Sequence, residues 1–329
     1  MKLDELAKLA GVSRTTVSYV VNGKAKQYRV SQKTIDKIQA LIELYNFKPN
    51  AMAAGLRVGR SYTIGLIVPD FENISYAKIT NQLENKFRER GYQLLITCSN
   101  DNAEREIDCA KHLFQRQIDA LIVSSALPIA TDFYTQYKKT PIFCFDRRLA
   151  SEWVTNLITN DEQDAYRLAS QLLQQGDYQQ ILFLGALPEL PISREREQGF
   201  RRAIANHPQI ATDFLYAKKF HKKEAAEAFA TWLSDHGLPQ VIFTTSLTLL
   251  QGVFSYLLQQ RGSIDPALVI ATFGTHEILD VLPNKAICSI QNHENISRNL
   301  VELVIGQLNN CKTEPNQTAL LRDITSHHF

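Results

Sequence analysis

The sequence predicts two units of different build: a small all-α helix-turn-helix headpiece, then an α/β body of two lobes with parallel sheets. Three observations predict this. Apolar residues recur at helical spacing over residues 3–45. From Ser61 onward, apolar runs alternate with amphipathic stretches through two similar halves. Charge is also split between the two parts. Residues 1–60 hold 11 Lys/Arg against 4 Asp/Glu, a net of +7, whereas the other 269 residues hold 25 against 30, a net of −5. A small basic module on a mildly acidic body points to a polyanion partner for the module alone. The alternative, a solubilising tail, has no need of the module's helical pattern.

In order along the chain, Leu3, Leu6, Ala7 and Ala10 make the apolar stripe of a first helix, with Asp4 and Glu5 in its first turn, where the dipole favours acids. Gly11 can end it. Ser13 can cap a second helix, whose inward residues are Val17, Val20 and Val21. Two short helices joined around a glycine read as helix-turn-helix. Ser31 can cap a third helix, with Ile35, Ile38, Leu41, Ile42 and Tyr45 inward.

With the valines inward, the second helix turns Arg14, Thr15, Ser18, Tyr19 and Asn22 outward. Arg14 carries a two-pronged guanidinium suited to guanine edges, and Thr15 and Tyr19 can reach neighbouring base edges. Ser13, Thr16, Ser18 and Asn22 suit phosphate oxygens, and Lys24, Lys26, Tyr28 and Arg29 in the following loop suit the DNA backbone. The bland alternative is a generic three-helix bundle with a polar face. Base-reading residue types clustered at the start of one helix argue for DNA.

"LDELAKLAGVSRTTVSYVVNG" resembles the headpiece of the LacI/GalR repressor family, and "NFKPNAMAAGLRVGRS" resembles that family's hinge. The resemblance implies that the stretch matching Asn50–Leu56 becomes a short helix on operator DNA. There it pairs with its twin in the minor groove, with Ala53 at the close approach and Leu56 as the wedge. The residues agree with this: Pro49 can start a helix, the alanines permit close pairing, and Gly55 lowers helix propensity by about 1 kcal/mol relative to Ala. The alternative is a plain interdomain linker. The expected division is 1–48 DNA-binding headpiece, 49–60 hinge, and 61–329 effector-binding and oligomerisation body.

In the body, "YTIGLIVPD", "YQLLITCS", "IDALIVSS" and "TPIFCFDR" read as buried strands, with helices between successive pairs. A second half runs from near Asp161 through "QQILFLGA", "FLYAK", "QVIFTTS" and "ALVIATFG", again with helices between, and "AICSIQNH" plus a helix over 296–309 closes the chain. The family resemblance implies a type I periplasmic-binding-protein-like body. In it the last strand and helix cross back to the first lobe, which gives lobe 1 at about 61–160 and 291–320 and lobe 2 at about 161–290.

Parallel sheets place ligands at strand carboxyl ends, and two lobes place them in the cleft between. The candidates are therefore Asn73 and Tyr76 after "LIVPDF", Asp146 and Arg147 after "IFCF", Arg194 and Arg196 opening the helix after "FLGALPEL", and Thr245 and Ser246 after "VIFT". A carboxylate there can accept sugar hydroxyls, and a guanidinium can take phosphate bidentately. Taken singly, each of these charges reads equally well as a surface salt bridge. The resemblance matches Arg196 in "REREQGF" to an effector-binding Arg and Asp146 to a polar effector contact. Thr275 stands where the family often has an Asp, and the chain ends "LLRDITSHHF" rather than in a basic stretch. That ending argues against a phosphate contact from the tail. "GKAKQYRVS" and "LGALPEL" are similar to fructose-responsive members of the family, which implies fructose 1-phosphate as the effector, with fructose 1,6-bisphosphate a weaker second.

Other chemistry lacks support. There is no G-x-G-x-x-G, P-loop, H-E-x-x-H or G-x-S-x-G, so no cofactor or metal is expected. The five cysteines form no C-x-x-C pair and read as reduced thiols of a cytosolic protein. "MKLDELAKLAG" is not a signal peptide, and no apolar run nears the roughly 18 residues of a membrane span. The expectation is a cytoplasmic, nucleoid-associated homodimer or homotetramer that binds double-stranded operator DNA and is released by a phosphosugar. The alternatives are a phosphosugar-processing α/β enzyme with a basic DNA-binding tail, and a solute-binding protein for transport.

Overall fold

The computed structural model describes residues 1–47, 59–157, 159–311 and 320–328, and it divides into two compact units, Met1–Ser61 and Tyr62–Phe329. The first is a three-helix bundle: α1 (Leu3–Ala10), α2 (Arg14–Val21) and α3 (Gln32–Leu44). Its helix ends are set locally. Gly11 takes the left-handed conformation (φ 67°) that closes α1, a backbone state other residues reach only with strain. Ser13 Oγ accepts from Thr16 N at 3.1 Å, and Ser31 Oγ accepts from Thr34 N at 3.3 Å. Leu6, Ala7, Ala10, Val17, Ile38 and Phe47 form the core. Tyr45 is 48% exposed rather than inward, because α3 ends at Leu44 and the chain turns there.

The body holds two sheets. The first has strand order β2-β1-β3-β4-β5, all parallel: β1 (Thr63–Val68), β2 (Gln93–Cys98), β3 (Ala120–Val123), β4 (Ile142–Phe145) and β5 (Val154–Leu157). Helices α4 (Ile74–Glu89) and α5 (Ala103–Gln115) cross over between its strands. The helix expected before "TPIFCFDR" is a short 3₁₀ segment, Phe133–Tyr137, and β5 was not expected. Pro128 and an aromatic trio confined to about one turn leave too little for an α-helix, and "VTNL" is a short, half-polar edge strand that carries little apolar signal.

The second sheet has order β11-β10-β9-β8-β6-β7. Its strands are β6 (Gln180–Ala186), β7 (Ala211–Ala217), β8 (Val241–Thr244), β9 (Val269–Phe273), β10 (Ala286–Ile290) and β11 (Asp323–His327). Only β11 runs antiparallel, against β10. The helices here are α6 (Asp161–Gln174), α7 (Pro191–Ile204), α8 (Lys222–His236), α9 (Leu247–Arg261) and the short α10 (Ile278–Val281). Gly199 lets α7 lie against α6, since a Cβ there would collide with the Glu162 carbonyl.

The chain end departs from expectation. The last predicted strand, β10, does not cross back: it pairs with β9 from Ala286↔Ile270 onward. Instead α11 (His293–Leu308) crosses, burying Ile296, Leu300, Val301 and Val304 against Tyr76, Ile79 and Leu83 of α4. The chain then touches the first lobe again through the Thr159↔Leu320 bridge and enters the second sheet as β11. Among the described residues, no helix is long and apolar enough to cross a membrane.

Candidate functional site

In the headpiece, burial of Val17 fixes the rotation of α2 and leaves Arg14 and Thr15 exposed, Ser18 and Tyr19 half-buried, and Asn22 exposed. Ser13 and Thr16 are committed locally: their hydroxyls lie 2.9 Å apart at the helix cap. Asn22 Nδ2 donates to Ser18 O at 2.8 Å and to Ser18 Oγ at 3.1 Å. Lys26 and Arg29 are exposed on the following loop, Arg29 with φ 54°. The outward face thus carries one guanidinium, several hydroxyls and a basic loop. Asn50, Ala53 and Leu56 lie outside the described residues.

In the body, a cleft opens between the lobes at the strand carboxyl ends. Asn73, Tyr76, Asp146, Arg147, Arg196, Thr245, Ser246 and Thr275 all line it. Asn73 caps α4, its Oδ1 accepting from Ser75 N at 3.0 Å. Tyr76 donates to Asp146 Oδ2 at 2.6 Å and lies 3.0 Å from Ser124 Oγ. Burial first, then the Asp146 carboxylate, push the Tyr76 phenol well above its ordinary pKa, so it stays a donor. Ser246 caps α9 with its Oγ on Thr248 N at 3.1 Å. Arg194 does not join the site. It is exposed, outside the cleft, with Nε on Pro188 O at 3.1 Å. Residues two apart on a helix point to nearly opposite sides, so Arg194 and Arg196 cannot share one cleft.

Three guanidiniums converge here. Arg147 Nη1 meets Asp101 Oδ1 at 2.6 Å. Arg196 binds Asp161 Oδ1 through Nε at 2.8 Å and Nη2 at 2.7 Å, donates Nη1 to Thr245 O at 2.6 Å, and lies over the Phe273 ring at 4.4 Å. Burial alone would weaken these cations. For Arg196, the carboxylates of Asp161 and Asp146 more than offset it and raise the pKa. Asp161 is likewise held below its ordinary value: burial opposes its charge, but Arg196 and Arg322 outweigh burial.

The third, Arg322, was missed by the sequence reading and corrects it, since it brings a cation from the tail into the cleft. It stands just before β11, enclosed; its backbone N donates to Asp164 Oδ1 at 3.1 Å, while its guanidinium comes no nearer than 3.9 Å to Asp146, Asp161 and Asp164. Among the described residues its Nε has no hydrogen-bond partner. Burial, then the charge of Arg196, lower its pKa. It is a buried cation with three carboxylates around it, none in hydrogen-bond contact with its guanidinium. Asp101, Lys78, Gln291, His293 and Phe220 also line the cleft and were not singled out from the sequence. Asp101 follows β2, so the same strand-end rule reaches it. Gln291 Nε2 is buried without a partner among the described residues. Such a pocket, cationic at one point and rich in hydroxyl-binding groups, suits a sugar that carries an anion.

A helix-turn-helix unit joined to a two-lobed, sugar-suited cleft defines a ligand-responsive DNA-binding regulator. The chain belongs to the lacI family of bacterial regulatory proteins: that family's model matches residues 2–50, and the model of periplasmic binding proteins and the sugar-binding domain of the LacI family matches residues 61–319. It is 47% identical to the catabolite repressor/activator of Salmonella typhimurium, over 98% of this chain and 97% of that one. It is 42% identical to the fructose operon regulatory protein of Vibrio cholerae, over 93% of each. A crystal structure of the Cra transcriptional dual regulator from Pseudomonas putida in complex with fructose 1-phosphate superposes with a TM-score of 0.75 at 33% identity, covering 81% of this chain and 98% of that one. The lac repressor dimer bound to operator shares the fold (TM-score 0.79, 19% identity, 99% and 97% covered). The protein is a DNA-binding, sugar-responsive transcriptional regulator, and the enzyme alternative finds no support.

Proposed function

We propose that the cleft takes fructose 1-phosphate, with fructose 1,6-bisphosphate a weaker second, and that occupancy releases a homo-oligomer from near-palindromic operator DNA in the cytoplasm, at the nucleoid. The observation that carries the effector reading is Arg322: an enclosed guanidinium whose nearest carboxylates stand at 3.9 Å and whose Nε is unpartnered is completed by a phosphate. Arg147 and Arg196 flank it, and Asp146, Tyr76, Asn73, Thr245, Ser246 and Thr275 are left for the sugar hydroxyls. The Pseudomonas putida relative, crystallised in complex with fructose 1-phosphate, supports the choice of sugar.

On the DNA side, Arg14, Thr15 and Tyr19 read bases. Ser13, Thr16, Ser18, Asn22, Lys26 and Arg29 hold phosphates, and Asn50, Ala53 and Leu56 serve the paired hinge. A near-palindromic site calls for two headpieces, hence a dimer or tetramer. The sugar acts by binding the low-affinity DNA state better, and linkage makes operator weaken sugar binding by the same factor.

The test is a calorimetric titration of the full chain with fructose 1-phosphate, fructose 1,6-bisphosphate and free fructose, followed by operator binding at saturation and sedimentation. Binding of the monophosphate with loss of operator affinity is the expected result. No binding of any of the three overturns the sugar, unchanged operator affinity overturns the induction, and a monomer on operator overturns the assembly.

A further inference from the structure

The outward face of α2 is held from outside the helix at two points. Asp4, on α1, places Oδ1 3.1 Å from Arg14 Nε. Tyr28, on the loop after α2, stacks on Tyr19 with ring centroids 3.8 Å apart and planes 2° from parallel. The loop that carries Tyr28 is itself pinned. Lys24 N donates to Tyr19 O at 2.8 Å, Val30 N donates to Ala25 O at 2.9 Å, and Ala25 is buried. Both residues therefore act on the two longest outward side chains of the helix.

We propose that Asp4 and Tyr28 are positioning residues that set the base preference of the headpiece without touching a base. This rests on the reading of Arg14 and Tyr19 as base contacts.

A guanidinium has five N–H donors in a fixed fork. A carboxylate on Nε fixes the plane and leaves the two Nη groups, which are the pair that meets the O6 and N7 acceptors of guanine. The exposed pair adds little to folding stability, since Arg14 and Asp4 are 52% and 57% exposed. Its effect falls on DNA binding instead. Asp4 repels every phosphate, so it weakens binding to all sequences, while holding Arg14 in register favours the one sequence that fits. A net loss of general affinity is exchanged for discrimination. The stacked Tyr28 removes rotamers from Tyr19 in the same way, so that its hydroxyl meets one base step rather than several.

The test uses the full chain with an operator and a set of single-base variants of it, plus non-specific duplex. Asp4→Asn should raise affinity for non-specific duplex about twofold to fivefold. It should also lower discrimination at the base position that Arg14→Ala affects. A rise that is equal on every sequence, with discrimination intact, overturns the role of Asp4 and leaves it a repelling charge. Tyr28→Leu, which keeps bulk but not the ring, should lose discrimination at the Tyr19 position about threefold to tenfold, and Tyr28→Phe should retain it. A flat profile for Tyr28→Leu overturns the role of Tyr28. Arg14→Ala separates the layers. If it shifts base preference while Asp4→Asn does not, the positioning alone fails; if it weakens all sequences equally, the base contact fails and the positioning of Arg14 with it.

Discussion

The headpiece and the body deploy charge in opposite ways. In the headpiece, Arg14, Lys26 and Arg29 stand in water, where an ion pair such as Arg14–Asp4 is worth little. In the body cleft, Arg147, Arg196 and Arg322 are enclosed, and their carboxylate partners decide whether the structure tolerates them. The difference teaches that the headpiece can exchange its polar face at little cost in folding stability, whereas the cleft is an electrostatic lock in which each charge depends on another segment of the chain.

The largest expected effect breaks that lock. Asp161→Ala removes the partner of Arg196 and one neighbour of Arg322, leaving two buried cations under-compensated. A loss of about 3–5 kcal/mol in urea unfolding is expected. A loss near zero would mean that water already solvates the cleft, and the contrast with the headpiece would disappear.

Arg322→Met should behave in the opposite sense. Among the described residues the Arg322 guanidinium has no hydrogen bond from Nε and its nearest carboxylates stand only at 3.9 Å, so replacing it with an apolar side chain should leave stability unchanged or raise it. Phosphosugar affinity, measured by calorimetry, should fall about tenfold or more. A destabilised variant with normal sugar affinity would make Arg322 a structural residue.

The third prediction concerns pH. Burial, then Lys78 and Arg322, lower the His293 pKa from 6.5 to about 4. The folded state therefore holds the neutral ring, with Nε2 3.2 Å from Ser75 Oγ, while the unfolded chain takes up a proton. The depressed folded pKa gives a contribution that is complete above pH 6.5 and is lost as pH falls toward 4. Denaturation at stepped pH should show roughly 2–3 kcal/mol lost across that window, and His293→Gln should flatten it. The headpiece, read by its own exchange-protected amides, should not follow.

The same contrast governs what could be read from the sequence. The headpiece was legible because its decisions are local: Gly11, Ser13 and Ser31 end or start helices through contacts within about three residues. Strand ends were legible in the body, and with them Asn73, Asp146, Arg147 and Thr245. Arg322 was not. It arrives through β11, a polar strand "DITSH" with one apolar residue, whose place is set by pairing with β10 rather than by any pattern of its own. Arg194 was proposed and misplaced because a loop-plus-helix rule names a segment without its rotation, and only packing of α7 on α6 selects Arg196 as the inward residue.

The smallest expected effect compares one motif in both settings. Ser13 and Ser246 both cap helices, each hydroxyl accepting a backbone N–H at 3.1 Å, Ser13 from Thr16 and Ser246 from Thr248. Replacing either with Ala should cost about 1 kcal/mol in its own unit. Their consequences should then separate. Ser13→Ala frays the first turn that carries Arg14, so operator affinity should drop a few-fold while sugar binding is untouched. Ser246 is buried and lines the cleft, so Ser246→Ala should weaken sugar binding and leave operator affinity in the absence of sugar unchanged. If Ser246→Ala lowers stability but not sugar affinity, its hydroxyl is fully spent on the cap, and the cleft relies on its charges and the remaining hydroxyl partners.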